Sequence, residues 1–210
     1  MLVEMSDTTA TTGKIVLQAL GGAPAPPGLA GDLAALLTLP EHAREHLWEI
    51  LGPSLADPVP APVESEVERF CVTYDVDREQ LGYTLRACRF LIREAASLDL
   101  SRAAFMADLE ALSEEAEAIG ALLMPRFESA KAFVRREMLR NTLADHGKLL
   151  ESISWRIDHP ASSSRGKRLA GRVVSLTVGY REGDRRERVT LQVLPETLVE
   201  LKKICDQLLS

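Results

Sequence analysis

The sharpest chemical signature in the sequence is H-A-R-E-H, His42 to His46. Histidines at i and i+4 share a helix face, and the glutamate between them completes the H-x-x-E-H pattern with which inverted zinc peptidases hold a metal and move a proton. Glu110, Glu114 and Glu115 are the acidic residues that could add a third ligand from a distance. The same five residues also fit a solvated helix face, with Trp48 and Leu51 following as ordinary core positions. Zinc hydrolysis is therefore the alternative chemistry, and no catalytic or metal-ligating residue is assigned. Ser162, Ser163 and Ser164 lie near His159 in sequence but outside any G-x-S-x-G elbow, so they read as loop. Neither a P-loop nor G-x-G-x-x-G occurs, and no cofactor is expected.

A second chemistry-bearing group is basic. Arg165, Lys167, Arg168 and Arg172, with Arg181, Arg185, Arg186 and Arg188 further on, could form a patch for anionic lipid headgroups at a membrane surface. The plainer reading is that they keep loops and a sheet edge soluble, since Lys and Arg oppose edge-to-edge aggregation. Nucleic acid is not expected as a partner, because Tyr180 is the only nearby aromatic that could stack a base.

The whole chain gives these residues an ordinary globular setting. Its 210 residues are 46% hydrophobic but only 5% aromatic, and the net charge is -6. Residues 148–210 hold 12 Lys or Arg against 8 Asp or Glu, giving +4, whereas the remainder holds 13 against 23, giving -10. A mildly basic end thus follows an acidic body, which permits attraction between copies or towards an anionic surface. Cys71, Cys88 and Cys205 are widely spaced and odd in number, and none sits in a C-x-x-C pair, so reduced thiols in a cytoplasmic protein are expected. The first residues lack the basic flank and apolar stretch of a secretory signal, and no apolar run approaches the ~20 residues of a membrane span.

The elements that would position all this are mostly helical. Residues 1–27, rich in Thr, Gly and Pro, read as a loosely ordered leader in which Ile15 to Leu20 can pack as a short turn. From Gly28 a helix carries Leu33, Leu36 and Leu37, and Pro40 opens another through Trp48 and Leu51. Asp57 to Val63, D-P-V-P-A-P-V, reads as an extended connector. Val67, Phe70 and Cys71 recur with helical period, as do Leu81, Leu85, Cys88 and Leu91 over Asp77 to Ser97. Ser101 is the expected N-cap of a helix with Phe105, Leu109 and Leu112. Glu114 to Ala144 fits one or two more, with Leu122, Leu123, Phe127, Phe133 and Met138 inward.

After residue 146 the apolar period changes from about 3.6 to 2. Ile153, Trp155 and Ile157 alternate with polar neighbours, as do Val174, Leu176 and Val178, then Val189, Leu191 and Val193. They predict three strands, each with one apolar face, the second and third joined as an antiparallel hairpin through R-E-G-D-R. Pro195 opens a last helix with Leu198, Leu201, Cys205 and Leu208 on one stripe. The expected class is α+β: a leader over 1–27, a helical domain over 28–146, and a three-stranded module with a C-terminal helix over 147–210. One helix laid on one face of so small a sheet leaves apolar area over, so a second copy is expected to complete it, the alternative being that the N-terminal helices cap it within one chain. All thirteen apolar residues just named are the predicted interface, with Trp155 at its centre and Arg156 and Asp158 on the other face, able to pair across protomers.

The order of these motifs resembles the COMM-domain family: W-R-I-D at Trp155 to Asp158, a serine-containing loop, two alternating strands, then L-P-E-T-L-V-E-L. L-R-A-C-R-F-L-I-R-E-A-A-S, Leu85 to Ser97, resembles part of that family's helical domain, so the likeness spans roughly residues 65–210. The resemblance implies an interlocked dimer of C-terminal modules, formed with itself or with related COMM-domain chains. It further implies no catalytic activity and an adaptor or scaffold role in protein assemblies.

Overall fold

The computed structural model describes residues 15–158, 162–163, 166–167 and 172–209. It divides into two compact units, Met1–Glu137 and Met138–Ser210.

The first unit opens with a small hairpin. Strands β1 (Val16–Leu17) and β2 (Ala23–Pro24) pair antiparallel around a 3-10 turn, Gln18–Leu20. Gly21 and Gly22 reverse the chain with φ of 62° and 87°, a region that favours glycine. Leu17 and Ala19 are fully buried, so the short turn expected here packs against the helices. Residues 1–14 of the predicted leader lie outside the described residues.

Helices α1 (Leu29–Thr38), α2 (Glu41–Glu45), α3 (Trp48–Ser54), α4 (Pro62–Tyr74), α5 (Arg78–Ser97) and α6 (Arg102–Leu112) follow, then α7 (Ala116–His146), which enters the second unit. The helix expected from Pro40 to Leu51 is two helices. His46 caps α2 with φ -98° and ψ 3°, and this break lets Ala43, Leu47, Ile50 and Leu51 all face inward. Asp77 and Ser101 cap α5 and α6, their side chains accepting the N–H of Gln80 at 2.8 Å and of Ala104 at 3.2 Å. On α7 the buried row is Leu123, Phe127, Ala130 and Val134. Phe133, expected inward, is 46% exposed, because Ala130 and Val134 take the row and turn the next position outward.

Neighbouring helices are tied at their ends by basic pairs spaced i, i+4. Arg89 and Arg93 of α5 donate to the carbonyls of Ser54, Leu55 and Ala56 at the end of α3. Lys131 and Arg135 of α7 do the same for Leu100 and Ala96 at the end of α5, each at 2.9 Å. Cations placed at helix C-termini satisfy orphan carbonyls and oppose the negative end of the macrodipole.

The second unit contains the predicted module. Strands β3 (Leu149–Asp158), β4 (Ser162–Ser163), β5 (Gly166–Lys167), β6 (Val173–Glu182) and β7 (Arg185–Val193) precede helix α8 (Pro195–Leu208). The three long strands form an antiparallel sheet in the order β3-β6-β7, and β4 pairs with β5 inside the connector. Gly183, φ 56°, turns β6 into β7, and its N–H donates to the carbonyl of Ala144 at 2.8 Å, capping the last turn of α7. A bulge between Leu150 and Ser152 shifts the register of β3, and a Cβ at Gly179 opposite would collide with the Ser152 hydroxyl.

Candidate interaction surface

The register of the sheet lays the predicted apolar residues in three ranks. Ile153, Val178 and Val189 are cross-strand neighbours, as are Trp155, Leu176 and Leu191, and Ile157, Val174 and Val193. Directly paired residues share a face, so all nine point to one side. The other face is polar: Thr177 and Thr190 bond each other at 2.9 Å, and the Ser175 hydroxyl donates to Asp158. Arg156 pairs with Asp158 of its own strand at 3.2 Å.

The apolar face is largely uncovered. Trp155 is 68% exposed at the centre of its rank, with Ile153, Ile157, Val189 and Leu191 also exposed. Val193 alone among the nine is buried, and the β6 residues are half-buried by the strands on either side. Nor does α8 lie on the sheet to hide its stripe, because none of its residues is buried. Leu198 is half-buried, while Leu201, Cys205 and Leu208 are exposed. Ile204, which the sequence reading passed over, widens the same stripe, and Leu194 extends it backwards, so 194, 198, 201, 205 and 208 follow the 4-3 spacing of a coiled-coil seam. The polar side of α8 is mixed in sign, with Glu196, Glu200 and Lys203 beside a Lys202–Asp206 ion pair.

The structure does not bring the basic residues into one described patch. Arg165 and Arg168, and the side chain of Lys167, lie outside the described residues, and Arg172 is exposed. Near the hairpin, Arg181 and Arg186 each reach a carboxylate oxygen of Glu151 at 3.2 Å. Tyr180 donates to Glu187 at 2.6 Å, which raises its phenol pKa, and Lys148 lies 3.5 Å from the same hydroxyl, its ammonium pKa raised by that contact.

In the first unit, His42 and His46 pack around Tyr74, with ring centroids at 5.7 and 5.3 Å, and His46 Nδ1 meets Glu49 at 2.7 Å. Glu45 is exposed, and among the described residues no three His, Cys, Asp or Glu side chains gather as a metal site. An open groove of about 310 Å³ lies between Trp48, Leu55, Ala130 and Phe133, with the Trp48 indole held by the Leu122 carbonyl at 2.9 Å. All three cysteines are free, and burial pushes the Cys88 thiol up to about 12.

One polar device had no signal in the sequence. The Asp108 carboxylate, 2% exposed, accepts the N–H of Gln18 with one oxygen and of Ala19 with the other, each at 2.7 Å. Nothing in residue type or spacing joins positions ninety residues apart.

No family model matches the chain, and no curated protein matches it. Among the described residues no helix is long and apolar enough to cross a membrane.

Proposed function

We propose that the chain is a non-catalytic, cytoplasmic adaptor that associates with a second copy through the apolar sheet face and α8, and presents its helical unit to other proteins. One observation carries this reading: among the described residues, most of the sheet's apolar face and most of α8 stay exposed. Ile153, Trp155, Ile157, Val189, Leu191, Leu201, Ile204 and Leu208 are exposed. At ~100 Å² each they expose roughly 800 Å² between the sheet face and α8, about what each partner gives a standard interface. The resemblance to COMM-domain chains agrees with this reading, and it leaves a related chain as the other candidate partner.

A protein partner fits the surface better than a membrane does. Interfacial helices that hold anionic bilayers carry Lys and Arg on the polar face, whereas α8 carries Glu196, Glu200 and Asp206 against Lys202 and Lys203. Light scattering during size-exclusion chromatography tests the proposal on the full chain. The expected result is a dimer or larger at micromolar concentration, and a monomer for Trp155→Ala, because emptying the central rank costs ~3–5 kcal/mol of association. Trp155 is exposed in one chain, so the variant keeps its helical circular dichroism. A wild-type monomer throughout that range, or sedimentation of the chain with phosphatidylserine vesicles that Trp155→Ala abolishes, overturns the reading.

A further inference from the structure

The hairpin of residues 15–25 is built as a separate piece. Gly21 and Gly22 fold it back on itself, and it closes with Gly22 N–H on the Leu17 carbonyl at 2.9 Å and Ala25 N–H on the Ile15 carbonyl at 2.7 Å. Pro26, Pro27 and Gly28 join it to α1, with no strand or helix of their own. It docks on α5 and α6 through two fully buried apolar side chains, Leu17 and Ala19, and through Asp108. Among the described residues no other hydrogen bond ties it to the helices.

Asp108 reads the backbone of the turn rather than any side chain. A carboxylate removed from water needs donors on both oxygens, and two successive free N–H groups supply them. Beside it the helices hold a large aliphatic side chain and, two residues on, a small one. The receptor is thus part of the helical unit, whereas its occupant is a short self-closed segment on a Gly- and Pro-rich tether.

We propose that residues 15–25 are a releasable latch over a peptide-docking site formed by α5, α6 and Asp108. When the latch opens, the site takes in trans a peptide turn of the same chemistry, Leu-x-Ala with two successive free N–H groups, from a protein partner. In the closed chain that partner is excluded.

The test uses the full chain and a fluorescent peptide of residues 15–27 as probe. Leu17→Glu places a charge in the buried pocket and expels the latch while leaving every receptor residue intact. The peptide should bind Leu17→Glu at least about tenfold more tightly than wild type, and adding Asp108→Ala should abolish that gain. Absence of binding to a Leu17→Glu chain with intact helical circular dichroism overturns the proposal. Should Leu17→Glu unfold the helical unit, native-state hydrogen exchange of wild type decides. Gln18 and Ala19 amides that exchange ahead of those around Cys88 and Leu91 in α5 support a latch, and exchange only in step with them overturns it.

Discussion

Burial differs among the three cysteines and sets the chemistry of each thiol. Cys88 lies fully buried on α5, and loss of solvent around its thiolate raises the pKa to about 12. Burial also raises that of Cys71, on half-exposed ground where Arg78 pulls the other way. Cys205 is exposed on the stripe of α8. Since the thiolate is the nucleophile, iodoacetamide at pH 8 should label Cys88 only after unfolding, and Cys205 faster in the monomeric Trp155→Ala variant than in the associated wild type, as read by mass spectrometry of timed digests. The sign of the Cys88 shift also bears on stability. The folded state keeps a proton that the unfolded chain releases above its ordinary value of 9.0, so this group lowers stability as pH rises from there towards 12. His42 and His46 show the limit of reading residues alone: the spacing that suits a metal ligand pair also suits two imidazoles clasping Tyr74.

At the scale of elements, the basic i, i+4 pairs do more than surface ion pairs do. Arg93 reaches the Leu55 carbonyl and Glu137, which in turn accepts the Asp57 N–H at 2.6 Å. Both charged side chains are mostly buried, at 13% and 17% exposure. Arg93→Met should therefore cost about 2 kcal/mol in urea unfolding, since it strands a shielded carboxylate and a helix-end carbonyl. Arg78→Met, which removes an exposed guanidinium from Glu64 and Glu68, should shift the midpoint little. Equal losses for the two would contradict the capping role.

Much of this level was legible beforehand. Helical and alternating periods placed α4 to α8 and the three long strands because one apolar face repeats along each. Legibility failed where an outcome depended on a neighbour. Nothing local marks the break at His46, which comes from four apolar residues turning inward together. Phe133 fits the apolar helical pattern, yet Ala130 and Val134 hold that row. The nine apolar residues that share one face of the sheet are legible in the alternation, but that α8 would leave them bare is a matter of where a helix goes after Leu194, which periodicity does not encode.

At the scale of the whole molecule, a chain with so much open apolar surface in one unit should be stabilised by mass action. If association involves the folded state alone, the melting temperature rises with protein concentration, and in Trp155→Ala it becomes independent of concentration. Differential scanning calorimetry over a hundredfold dilution reads this directly, and a flat wild-type melting temperature would count against coupled folding and assembly. The two units also contribute differently. The first has its own core from Leu17 to Val134, whereas the second is a thin sheet with one polar face and one apolar one. The second unit has a practical side. Hairpin tips are ordinarily the safest places to splice in an epitope or a fluorophore, but the tip at Gly183 is plugged into the Ala144 carbonyl. A tag inserted there would uncork the helix that leads into the sheet, and anyone visualising this protein in cells does better to leave that bend untouched.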